Sequence, residues 1–202
     1  TEEQRQRFRD EFVRCFVEEK VKQAEYYVLD DVTGTVSVQL PGTTRWRRAR
    51  PGMRVPPGTR IQTGLDSRTI VKTPGGHEVF IRATSGVTLT SLLEPSEDGQ
   101  SSEKVDLGFG GIRIRTLRSV RRADMRVSTP NPTGGVSGTK LEIQYDSSRD
   151  TTTITVYEGA FHAHHGYTGE EKRLANSQAI LSPKAFQIIP APALPKGWWP
   201  KK

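Results

Sequence analysis

The sequence predicts an all-β domain of many short strands, a roll, sandwich or short solenoid, preceded by one amphipathic helix. Three observations predict it. Gly and Pro punctuate the chain every few residues from Tyr26 onward. β-branched residues fill the gaps, with apolar and polar positions alternating. The resulting strands recur at roughly ten-residue intervals, the rhythm of sheets that roll or stack. Hydrophobic residues make up 33% of the 202 and charged residues 26%, so the core should be thin and the polar edges long.

The helix is expected over 1–26. Phe8, Phe12, Cys15 and Phe16 fall on one face, followed by Glu19, and Thr1 with Gln4 offers a capping box. Strands are expected at 27–29, 34–40, 60–63, 68–73, 78–82 and 87–92. Pro41-Gly42, Pro51-Gly52, Pro56-Pro57-Gly58 and Pro74-Gly75-Gly76 separate them as turns, because Pro cannot donate to a ladder and Gly tolerates positive φ. The segment 94–104 is rich in Ser, Glu and Asp and reads as an exposed loop. Strands resume at 105–107, 111–117, 125–128, 140–145, 151–157 and 160–163. A hairpin loop at 146–150 and a tighter break at Glu158-Gly159 fall between the last three. Beyond residue 165, the segments 178–181 and 185–189 are further candidate strands. The tail is Pro-rich from Pro190 and ends Gly197-Trp198-Trp199-Pro200-Lys201-Lys202. The organisation is therefore a helix over 1–26, a β domain over 27–165 and an extension over 166–202.

The formal charge is +7, with 20 Arg against 10 Lys. Arg forks suit carboxylate, phosphate and sulfate, so anionic partners are in question, although the same charge also serves solubility. The single cysteine, Cys15, excludes an intrachain disulfide. No apolar run approaches the ~20 residues of a membrane-spanning helix. The first residue is Thr1, which suits a removed leader or further upstream sequence equally.

The order of short phrases carries more than composition does. Gly34-Thr35-Val36 opens the β region, followed by Ile61-Gln62-Thr63-Gly64 and Ser67-Arg68-Thr69-Ile70-Val71. Gly76-His77-Glu78-Val79-Phe80-Ile81, Ser85-Gly86-Val87-Thr88-Leu89, Asp106-Leu107-Gly108 and Ile112-Arg113-Ile114 come next. Val127-Ser128-Thr129-Pro130 precedes Val136-Ser137-Gly138-Thr139, and Val156-Tyr157-Glu158-Gly159 closes the series. In this order the phrases resemble the FecR domain over about residues 34–162. Two departures are the Gly-rich Gly108-Phe109-Gly110-Gly111 and an Arg-rich insertion at 116–124. The resemblance implies a periplasmic, secreted or cell-surface β domain. In iron-transport regulators of that family the domain passes a receptor signal to an anti-sigma segment.

Candidate sites are few. His162 and His164 share a strand face about 7 Å apart, beside His165, but no Cys, Asp or Glu stands at ligand spacing. A solvated strand end is the expected reading, and neither metal nor cofactor is expected. No Gly-x-Ser-x-Gly elbow is present, Cys15 sits on an apolar helix face, and Gly108-Phe109-Gly110-Gly111 lacks the Lys-Ser/Thr of a phosphate loop. Catalysis is therefore not expected.

Two Arg clusters are candidates for polyanion binding: Arg45, Arg47 and Arg48 around Trp46, and Arg118, Arg121 and Arg122. Arg113 and Arg115 alternate with Ile112 and Ile114, a pattern that an ordinary solvated sheet face also produces. Phe8, Phe12, Phe16, Trp198 and Trp199 are candidates for a partner interface, with packing on the parent domain as the competing reading. The leading functional expectation is a non-enzymatic, extracytoplasmic structural or interaction module of FecR type. It would bind protein partners, further copies of itself among them. The alternatives are an envelope module for acidic glycan or another polyanion, and a relay domain of a transmembrane regulator.

Overall fold

A computed structural model describes residues 26–92, 102–116 and 125–200. The expected helix with Phe8, Phe12 and Phe16, and the arginines Arg118, Arg121 and Arg122, lie outside the described residues. Among the described residues every regular element is a strand.

The strands are β1 (Tyr27–Thr33), β2 (Val36–Gln39), β3 (Trp46–Arg48), β4 (Met53–Val55) and β5 (Thr59–Thr63). Next come β6 (Arg68–Lys72), β7 (Glu78–Ile81), β8 (Ser85–Leu92), β9 (Ser102–Arg115) and β10 (Met125–Ser128). The series ends with β11 (Pro132–Asp146), β12 (Thr151–His165), β13 (Glu171–Leu174), β14 (Ser177–Ser182) and β15 (Ala185–Pro190).

Their hydrogen bonding is continuous, and it resolves into two layers that share three long strands. One layer runs β4–β1–β6–β7–β9–β11–β12–β14–β15. The other runs β3–β2–β5–β8–β9–β10–β11–β12–β13. The first layer uses the C-terminal half of β9, where Ile112 and Ile114 pair with β7 and β11. The second uses its N-terminal half, where Val105 and Leu107 pair with β8. β11 and β12 divide in the same way. All pairings are antiparallel except that of β10 with β9.

A strand that serves two layers must turn a corner. Each long strand does so at a glycine with positive φ: Gly110 at 85°, Gly138 at 56° and Gly159 at 78°. In β11 the register shifts between Ser137 and Leu141, around Gly138, as a bulge requires. At Gly110 a side chain would also run into the Thr84 carbonyl and Ser85, whose Oγ accepts from the Gly111 amide at 2.9 Å. The Gly-rich stretch expected as a departure from the family is thus a corner. The breaks expected near residues 108–110 and at Glu158-Gly159 are bends within unbroken strands.

The core lies between the layers. The thirteen positions that alternation marks as apolar and inward are all buried, from Val36, Val38 and Ile61 through Ile112, Ile114, Leu141 and Ile143 to Ile154 and Val156. Val127, Leu89, Ile70 and Phe80 complete that set. Ile70 and Phe80 differ from the rest. Their strand neighbours Val71, Val79 and Ile81 join the central cluster, whereas these two point to the opposite face of the first layer. Something must therefore cover that face.

β13, β14 and β15 continue the hydrogen bonding of β12, so the residues after 165 extend both layers. His165 is fully buried at this junction. Its Nδ1 accepts from the Thr168 amide at 3.1 Å, so the proton sits on Nε2, which donates to the Ser182 carbonyl at 2.9 Å.

Candidate interaction surfaces

The outer face of the first layer carries a row of cross-strand neighbours: Ile70, Phe80, Arg113, Glu142, Thr155 and Gln178. Glu142 is its electrostatic centre and is almost wholly buried. Arg113 Nε donates to its Oε2 at 2.9 Å, while Arg82 Nη1 and Gln144 Nε2 donate to its Oε1 at 2.6 and 2.8 Å. One row over, Arg115 Nε donates to Glu78 at 2.9 Å. A buried carboxylate is tolerated only when its oxygens are satisfied in this way.

The C-terminal tail closes over this row. The Trp198 ring, 4% exposed, meets Tyr157 edge-on at 5.6 Å. Arg113 stands over that ring at 5.8 Å and also donates to the Trp198 carbonyl. Trp199 takes Arg115 over its face at 4.6 Å and tilts against Phe80 at 6.1 Å. Burial raises the Tyr157 phenol above its ordinary range; Glu142 adds to the effect, and Arg113 and Arg82 oppose it. Trp198, one candidate for a partner interface, is therefore occupied by its own domain, where it and Trp199 cover Tyr157 and Phe80.

The β3 edge is built differently. Among the described residues β3 pairs only with β2, and its three residues are exposed. It is nonetheless held firmly at its end. The Ala49 amide donates to Val36 at 2.8 Å, Ala49 is buried, and the Gly52 amide donates to Leu29 at 2.7 Å. The chain from β3 to β4 curls around an open concavity of about 720 Å³ lined by Arg45, Trp46, Arg47, Arg48, Arg50 and Met53. Among the described residues none of these four arginines meets a carboxylate, and the Trp46 ring, 38% exposed, has no aromatic neighbour. The structure thus sets the first expected Arg cluster along one sheet edge.

His162 and His164 do lie on one face of β12, both exposed. Their partners across the ladder are Arg173 and Glu171. His164 Nδ1 sits 3.3 Å from Glu171, and a guanidinium occupies the position facing His162. No group of three or more metal-ligating side chains converges among the described residues. His77 is buried in the turn before β7, with its amide donating to Thr73 Oγ1 at 3.0 Å.

A family model described as FecR protein matches residues 59–161, from the start of β5 to Phe161 in β12. The chain belongs to the FecR family. Two crystal structures of a candidate anti-sigma factor from Parabacteroides distasonis ATCC 8503, at 2.50 and 1.65 Å, share the fold at 17% identity, with TM-scores of 0.52 and 0.53. Each alignment covers 66% of this chain and 59% of the other, so the chain spans about three fifths of that protein's length. No curated protein matches the sequence.

The FecR match begins later than the resemblance read from the phrases, which starts at Gly34. It takes in Glu78, Arg113 and Glu142 but leaves out both ends of the described chain. The β3 edge lies before the matched span, and β13–β15 with the Trp198 cover lie after it. The FecR core thus supplies the corner strands and the outer-face row from Ile70 to Thr155, and the flanking segments supply the β3 edge and the Trp198 cover. Glu142, Glu78 and Tyr157 went unmarked in the sequence, because a lone carboxylate on an alternating strand carries no local signal of its partner.

Proposed function

We propose that this chain is a non-catalytic regulatory domain that acts by binding other proteins, in the manner of a FecR-type signal relay. The FecR match over β5–β12 carries this reading. The fold shared with the candidate anti-sigma factor supports it. The geometry suits such work, since among the described residues each layer ends in open edges, β3 and β13 on one and β4 and β15 on the other. On β15, Ile188 and Ile189 are each 44% exposed, so this edge is apolar where β3 is basic. Exposed edges of this kind accept a strand from a partner. The compartment belongs to the same proposal: the domain works in the periplasm or at the cell surface, as its FecR character suggests.

The test is photo-crosslinking in the native cell from single positions on the two edges, Trp46 and Ile188. It is paired with transcript profiling after deletion of 27–190 and with protease access to the domain in cells whose outer layer has been opened. A discrete crosslinked protein, together with a defined set of altered transcripts, is the expected result. A domain that crosslinks to no protein and whose loss alters no transcript is not a relay.

A further inference from the structure

The β3 surface combines three features that each ask for a ligand. Its outer ladder edge has no strand beside it among the described residues. Four guanidiniums around it meet no carboxylate among the described residues. A half-exposed indole stands in the middle of them. Short strands and charges often serve only to repel stray strands from a sheet edge. A purely protective edge needs no exposed indole among its charges. Here the exposed arginines surround Trp46 at an open concavity, on a backbone pinned by the Ala49 and Gly52 amides. Arg forks held on an ordered backbone favour bidentate carboxylate recognition.

We propose that β3 is the docking edge for an extended acidic segment of a partner protein, added as a further strand beyond β3. The inference rests on the protein-binding reading above and names the surface and the partner's chemistry. Side chains alternate along a strand, so Trp46 and Arg48 flank one face of the incoming segment and Arg47 the other. Arg45 and Arg50 stand at the two ends of β3. The matching segment carries Glu or Asp on both faces and an apolar residue that rests on Trp46. A sugar polyanion would satisfy the guanidiniums but not the ladder, which only another backbone completes.

The probe is a Glu-rich peptide about ten residues long with a central Val, long enough to pass the whole of β3 at ~3.3 Å per residue. Affinity is read by calorimetry on the full chain. Three comparisons accompany it: the same peptide N-methylated at alternate backbone amides, a heparin oligosaccharide, and the variant Arg47→Glu/Arg48→Glu. Arg47→Lys/Arg48→Lys serves as a second variant, and thermal unfolding confirms that both fold. The expected result is loss of at least about tenfold in affinity on methylation and in the Glu variant, with a smaller loss in the Lys variant. Affinity for the unmodified peptide should also fall with rising salt. Peptide binding that ignores methylation overturns strand addition. Heparin binding without peptide binding assigns the edge to a glycan and overturns the proposal, as does binding of no probe. If crosslinks from Ile188 capture a partner while those from Trp46 capture none, the relay reading stands and this one fails.

Discussion

Arg113 and Arg115 end on carboxylates and indole rings, whereas Arg45, Arg47, Arg48 and Arg50 end in an open concavity. The residue type is the same, and the strand position decides the difference. β9 is central in its layer, so two neighbours face each of its side chains, and β7 and β11 place Glu78 and Glu142 there. Among the described residues β3 has one neighbour, β2, which offers Ser37, Val38 and Gln39. A central strand can neutralise its arginines from both sides, but an edge strand cannot. The net charge of +7 therefore says less about ligands than the places where the charge is left uncompensated.

That contrast can be broken or sharpened by substitution. It rests first on register, because a slip by one residue in β11 would exchange Glu142 with Ile143. Ile143→Ala should cost about 2–5 kcal/mol in urea unfolding, as a fully buried aliphatic does. A loss below about 0.5 kcal/mol, within the usual range for surface positions, would undo the assignment of faces. Trp198→Ala should cost about 2–4 kcal/mol, somewhat under a core Trp, since it uncovers Tyr157 at the surface and removes the ring beside Trp199 rather than leaving an internal cavity. Glu142→Ala leaves Arg113 and Arg82 without their acceptor at a half-buried site and should cost about 1–3 kcal/mol. Arg47→Ala and Arg48→Ala, measured in the same way, should each fall within about 0.5 kcal/mol of the parent. If the β3 substitutions destabilise as much as Glu142→Ala, the two Arg groups are alike and the contrast is lost.

Much of the fold was legible in the sequence. Alternation placed Ile61, Ile112, Ile114, Ile143 and Val156 inside, because a strand has a period of two and the apolar residues keep it. It also placed Arg113 and Arg115 together on one face. Three strands escaped notice. β3 and β4 have three residues each between Pro and Gly turns, too few to show a period, and β13 reads Glu-Lys-Arg-Leu with a single apolar residue. The corners were read as breaks, since a positive-φ glycine interrupts the pattern identically whether the chain reverses or merely bends. The outer-face network was not legible. Glu78 and Glu142 lie 37 and 29 residues from the arginines they hold, and only pairing brings them together. The destination of Trp198 depends on the same pairing, 85 residues from Arg113. The β3 cluster was visible as composition, but that it meets no carboxylate among the described residues appears only in three dimensions.

The corner strands have a consequence for how such a domain handles force and information. β9, β11 and β12 each run from one layer into the other, so neither layer can slide or open without bending strands whose hydrogen bonds are fixed on both sides of the corner. The core has no internal hinge in these strands. It should melt in one cooperative step, with amide exchange in β9, β11 and β12 slow on both sides of Gly110, Gly138 and Gly159. A body built in this way does not transmit a message by flexing. On the proposed reading it acts as a stiff bracket, and the arrival of a partner changes which edge is occupied and where the whole bracket stands.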